Sequence, residues 1–343
     1  MRLREPWIDA ARGVALTGVV FHHILAYTAK TAGEPAWLSD ADLALDGFRM
    51  PMLVGISGLL AAGVRHWPWR EVLRRRVGPL ALLYVVWAVV GIVVATAFTT
   101  EMTLAEGVHQ LSWLLVRPAG WAWYLAALPL YIAGAKALAK VPTYVVVPLS
   151  AAVFLAALAT WPSSPMQPLD NWWWPAEHWV FFVCAERFAS AYWAAATRGT
   201  TRRAIAAIAL FCAAGLIGAV TGVLEAPVVV GCLGVLGTFM GLTAAGAWGG
   251  AAWLAWARAI GTRSLGVYAI HAWLAFVLWH LLLNAVPPFR ADGLMFPVAF
   301  AAAVLAISYA LTLLIERFAP VPLLRPWWDT RAREHREAPA PAQ

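Results

Sequence analysis

Apolar runs recur from one end of the chain to the other, separated by short polar stretches. A membrane-crossing helix needs about 20 mostly apolar residues. On that criterion the pattern predicts ten spans, at about 8–27, 48–64, 77–98, 121–138, 143–161, 178–196, 204–222, 227–247, 264–285 and 293–318. The second run is the shortest and reads as tilted, broken or partly re-entrant. Glycine-bearing interiors such as VGISGLLAAG and GCLGVLGTFMGL suit close helix packing in lipid. The reading is all-α: a polytopic transmembrane helical bundle over 1–325, with a polar, disordered tail over 326–343.

Composition sharpens this picture. Of 343 residues, 62% are hydrophobic and only 13% charged, and the mean hydropathy is +0.70. A soluble domain of this size needs more charge to cover its surface. Basic residues then set the orientation. If both termini are cytoplasmic, inner loops receive Arg65, Arg70, Arg74–Arg76, Lys136, Lys140, Arg198, Arg202, Arg203, Arg258 and Arg263. Outer segments receive only Lys30, Arg49, Arg117 and Arg290. That is the positive-inside pattern of a multi-pass protein of the cell (plasma or inner) membrane. It accounts for the net charge of +7 through membrane lipid and an anionic ligand, without nucleic acid. The first run has no small-residue cleavage site and reads as a retained anchor. Cys184, Cys212 and Cys232 lie inside spans without metal or disulfide spacing, so no metal and no bound cofactor are expected.

The chemistry concentrates in the first span, DAARGVALTGVVFHH, Asp9 to His23. Ionisable residues inside a span normally face a protein interior and mark a functional path. Arg12 and His23 share one helix face about 16 Å apart. Asp9 is placed to pair with Arg12 one turn away, whereas His22 is rotated by about 100° and looks elsewhere. A guanidinium grips phosphate oxygens, and a buried neutral histidine accepts a proton. Snorkelling explains Arg12 equally well, and packing explains His23.

The string from Arg12 and Gly13 to His23 resembles the R-X10-H signature of the acyltransferase family 3 membrane proteins. FRMPMLVGISGLL, RRRVGPLALLYVVW, WAWYLAALPLY and SLGVYAIHAWL resemble the family's later segments, in the family's order. The resemblance implies an integral membrane O-acyltransferase. It would move an acyl group, commonly acetyl, from acyl-CoA as co-substrate to a hydroxyl of a cell-envelope carbohydrate or glycolipid. His23 matches the catalytic histidine and Arg12 the signature arginine. Arg74, Arg75 and Arg76 occupy the basic loop associated with donor binding, where the positive-inside rule also places arginines. Asp9, Arg49, Ser57, Trp123, Tyr124, Tyr268 and His271 complete the expected site. Two departures stand out: Arg49 precedes Met50-Pro51 where many members carry histidine, and the basic loop reads Arg70 then Arg74–Arg76.

In that scheme His23 serves as general base or takes the acyl group itself. Ser57, Arg49 and Tyr124 compete as oxyanion donors. The segment QPLDNWWWPAEHW offers Trp172–Trp174 for stacking on sugar rings, with Asp170 and Glu177 for hydroxyls. An interfacial tryptophan belt explains it more simply, and His178 reads as interfacial. A transporter or flippase with an intramembrane Arg/His pathway is the rival from another class; within the enzymes the rival is a membrane acyltransferase acting on amino groups of sugars.

Overall fold

A computed structural model describes residues 5–32, 36–98, 103–160, 172–285 and 295–318. The tail over 326–343, Asp170, Arg290, Arg2, Arg4 and Arg325 fall outside these residues. Among the described residues all regular structure is helical. The helices are α1 (Pro6–Ala32), α2 (Ala36–Ala61), α3 (Trp69–Val72), α4 (Gly78–Phe98), α5 (Leu104–Trp113), α6 (Trp123–Ala137) and α7 (Thr143–Thr160). They continue with α8 (Trp173–Arg187), α9 (Ala189–Thr197), α10 (Thr201–Thr221), α11 (Pro227–Trp248), α12 (Ala255–Thr262), α13 (Ser264–Ala285) and α14 (Met295–Phe318).

Helices cover all ten predicted apolar runs, and the run at 178–196 is divided between α8 and α9 at Phe188. Among the described residues six stretches are long and apolar enough to cross a membrane: Trp37–His66, Trp69–Phe98, Thr201–Thr221, Pro227–Trp248, Ser264–Leu282 and Phe296–Phe318. The second run differs most from expectation. It is one 26-residue helix that starts at Ala36. Reading by apolarity discards Asp40, Asp42 and Asp46, yet they lie on its N-terminal half. Arg49, assigned above to the outer surface, is buried at 2% exposure beside two of them.

Burial orders the bundle. The apolar window of α2 is 78% buried, against 28% for those of α10 and α14. Accordingly α2 runs through the centre, while Leu216, Ile217 and Val220 of α10 point outward as a lipid-facing surface would. α1 runs antiparallel to α2, since Gly18 meets Arg49 and His22 meets Asp42. α8 and α11 flank α2 on other sides, and α12, α13 and α14 close around α1. In lipid, helices gain little from hydrophobicity and associate through close packing. The α2–α8 contact depends on Gly58, where any Cβ would strike the Phe182 carbonyl. The α2–α11 contact depends on Gly237, placed against the backbone of Gly47.

The arginine triplet has a distinctive backbone. Pro79 has no N–H to offer the Arg75 carbonyl, and its ring crowds that position. The ladder shifts by one residue, so the Gly78 N–H reaches Leu73 O and Leu73–Val77 forms one π turn.

Candidate active site

Side chains from α1, α2, α6, α8 and α13 form a polar and aromatic seam through the bundle. At one end Arg12, partly buried, lies close enough to Tyr124 for its charge to act on the phenol. Among the described residues it makes no hydrogen bond or ion pair, so its five N–H donors are uncommitted. The expected pairing with Asp9 is not present. The Asp9 backbone packs against Gly261 of α12, and the Arg12 side chain turns inward toward α6.

From Arg12 the seam continues ring to ring. Tyr124 meets Tyr268 edge-on with centroids 5.0 Å apart, Tyr268 meets His271 at 5.2 Å, and His271 meets His23 at 5.2 Å. A series of ring contacts thus runs from Tyr124, which feels the charge of Arg12, to His23. His271 is fully buried. Its Nδ1 lies 2.7 Å from the Tyr268 carbonyl. A carbonyl only accepts, so Nδ1 carries the proton and Nε2 keeps a lone pair. That buried Nε2 has no hydrogen-bond partner. His23 likewise makes no hydrogen bond among the described residues.

The proposed oxyanion donors are more committed. Ser57 Oγ lies 3.0 Å from the Leu53 carbonyl and 2.8 Å from the Tyr124 hydroxyl, which is itself 3.4 Å from that carbonyl. Each hydroxyl has one proton, and this triangle uses both. Arg49 donates to Asp42 and, at 3.1 Å, to Asp46. Its role in this geometry is to hold two carboxylates inside the bundle.

Asp42 and Asp46 escaped sequence reasoning. Asp42 bridges α1 and α2 by accepting from Arg49 and lying 2.7 Å from His22 Nδ1. His22 bonds Asp42 while its ring still lies 5.5 Å from that of His23, so the helical angle gave neither its partner nor its nearness to His23. Asp46 stands beside Glu177 and His178 of α8. His178 is 4% exposed, and its ring packs at 5.1 Å, tilted by 40°, against Trp123, which is also buried. Trp172–Trp174 sit at the start of α8, with the Trp172 indole N–H donating to the Val116 carbonyl.

The basic triplet is not joined to this seam by any hydrogen bond, ion pair or ring contact among the described residues. Arg74 and Arg75 are exposed, Arg75 lies 3.8 Å from Glu71, and Arg76 stacks over Trp67 at 5.5 Å. A second charged cluster, also unforeseen, closes the far end of α8. Arg187 donates to the Leu138 and Val141 carbonyls and lies 3.0 Å from Glu186, which also faces Arg65 at 3.7 Å. The cluster's members are tied to one another by ion pairs, while Arg65 Nε, Glu186 Oε1 and Arg187 Nε have no hydrogen-bond partner among the described residues.

Comparison with curated proteins and with solved structures finds no match. Comparison with family models does: the model described as an acyltransferase domain, of acyltransferase family 3, matches residues 5–315. A match over that much of the chain, on a helical fold with six membrane-length apolar stretches, decides the matter: the chain belongs to acyltransferase family 3 and is a membrane acyltransferase.

Proposed function

We propose that the protein is an O-acyltransferase that takes an acyl group, acetyl in the simplest case, from acyl-CoA and delivers it to a hydroxyl. The acceptor in this reading is a carbohydrate or glycolipid of the cell envelope. The chain crosses the cell membrane ten times with both termini cytoplasmic, α1, α6, α7 and the α8–α9 pair adding to the six apolar stretches. The observation that carries the reading is the pairing of an uncommitted guanidinium, Arg12, with an uncommitted imidazole, His23, along one seam.

Arg12 binds phosphate of the donor from the cytoplasmic side, assisted by Arg74, Arg75 and Arg76 at the entrance. The thioester reaches up the seam toward His23. His23 accepts the proton of the acceptor hydroxyl as its oxygen attacks the thioester carbonyl. The tetrahedral intermediate collapses, the carbon–sulfur bond breaks, and the same proton returns to the departing thiolate. Atoms balance: one ester and one free thiol leave. His271 packs its ring against that of His23, and its free Nε2 lone pair is available to accept an N–H from that imidazole.

The test is transfer of label from labelled acetyl-CoA to an envelope-glycan extract, in membranes of equal protein abundance. Wild type should transfer, and His23→Ala should lose about 10²- to 10⁴-fold, the contribution typical of a general base. Undiminished transfer in His23→Ala would remove the assignment. Transfer to amines but not hydroxyls would move the reading to N-acylation.

A further inference from the structure

Asp46 on α2 and Glu177 and His178 on α8 each present one ligand atom within 4.8 Å of the other two. We propose that they form a binding site for a divalent 3d metal ion of the zinc class, at the tryptophan-lined end of the seam.

Three features of His178 support a metal over a fortuitous cluster. His178 is 4% exposed. Its Nδ1 is 2.9 Å from the Trp174 carbonyl, which fixes the N–H on that nitrogen and leaves Nε2 as a lone pair. Metal-binding histidines are oriented in this way by a carbonyl or carboxylate on the other nitrogen. The ring also packs against Trp123 at 5.1 Å and Phe181 at 6.2 Å.

The charges point the same way. Glu177 is half-buried and has no hydrogen bond or ion pair among the described residues. It lies close enough to Asp46 for the two carboxylates to repel. Arg49 cannot relieve this alone, because it already stands between Asp42 and Asp46. Asp46 uses one oxygen on Arg49 and keeps the other, and its side chain is 40% exposed, which gives an ion a way in. Asp42, Asp46 and Glu177 therefore set three negative groups against one guanidinium.

The donor set selects the ion. One imidazole and two carboxylates suit zinc or manganese better than magnesium or calcium, which prefer oxygen alone, and no thiolate is present to favour copper(I). Three protein ligands leave at least one position open to water or an oxygen of the acceptor. The proposal does not depend on the acyl-transfer reading, because metal binding is measured without donor or acceptor. It was out of reach of the sequence, where Asp46 lies far from the Glu177-His178 pair and neither carries a metal-ligand spacing.

The experiment uses the full chain purified in detergent, stripped with a chelator and titrated with Zn²⁺ against a chromophoric competitor. A parallel titration with Co²⁺ reads the ligand-field spectrum. One ion per chain is expected, with affinity falling about tenfold or more in Glu177→Gln, Asp46→Asn and His178→Gln. His109→Gln, at an exposed histidine on α5, should bind as wild type does. Glu177→Gln is near-isosteric, so its melting temperature without metal separates lost ligation from lost fold. No stoichiometric zinc in wild type, or zinc that all three variants retain, would overturn the site. Absent zinc together with a higher melting temperature in Glu177→Gln would instead identify a proton shared between the carboxylates.

Discussion

His22 of α1 and Asp42 of α2 are joined across the helix pair at 2.7 Å, and Arg49 grips the other oxygen of the same carboxylate. One aspartate thus fastens the helix that carries His23 to the helix that carries Ser57. His22 bears on the position of its neighbour, so replacing it does not leave the site untouched.

Asp42→Asn should measure this fastening. The change leaves Arg49, 2% exposed, with Asp46 as its remaining counter-charge. Removing one partner of a buried pair costs about 3–5 kcal/mol, and the surviving Asp46 should hold the loss to the lower end. Thermal unfolding in detergent reads it directly. A variant as stable as wild type would show that the pair contributes nothing net.

His22→Ala and His23→Ala should separate position from chemistry. Losing His22 frees one oxygen of Asp42 but spares its bond to Arg49, so transfer should fall by about tenfold or less. Losing His23 removes the base and should cost about 10²- to 10⁴-fold. Initial rates at equal membrane abundance compare them. If His22→Ala were the more damaging, the Asp42-supported imidazole would be the base.

Arg12→Lys should raise the KM for acyl-CoA about tenfold while altering kcat less, because an ammonium cannot reproduce the bidentate fork on phosphate. Arg74→Gln, at an exposed position, should do less than Arg12→Lys. Equal effects at the two sites would place the phosphates at the π turn and not in the seam.

The helical fold and its apolar segments were legible because lipid leaves the backbone few options, and period and length then suffice. The seam was partly legible: Arg12 and His23 share a face by angle alone, and Tyr268 and His271 are one turn apart on α13. What failed was α2. Apolarity discards a helix half that carries Asp40, Asp42 and Asp46, and nothing local reveals that Arg49 neutralises two of them. Pairings between α2 and α8, such as Asp46 with Glu177, are set by packing around Gly58 and have no local signal.

Tyr124→Phe should lower stability by about 1 kcal/mol, the value of one hydrogen bond, and reduce kcat only a few-fold. The reason is proton accounting: the Ser57–Tyr124–Leu53 triangle already employs both hydroxyl protons. An oxyanion donor, by contrast, is worth about 10²- to 10³-fold in kcat. A loss of that size would show that the triangle opens on substrate binding and that Tyr124 stabilises the intermediate.

His271 supplies the last prediction, because its geometry distinguishes positioning from chemistry. Its Nδ1 is bound to the Tyr268 carbonyl, its Nε2 is buried without a partner, and its ring lies 5.2 Å from that of His23, centroid to centroid. A lone pair there can accept an N–H from His23 and so present the other nitrogen of His23 to the acceptor hydroxyl. His271→Gln retains an acceptor at similar reach, whereas His271→Leu retains only volume. The glutamine variant should therefore keep most of kcat and the leucine variant should lose about 10- to 100-fold, with the KM for acyl-CoA unchanged in both. The rate comparison is paired with melting temperatures, since a packing defect would lower stability in both variants without this split. Equal losses in the two would assign His271 to packing and leave His23 to be oriented by substrate alone.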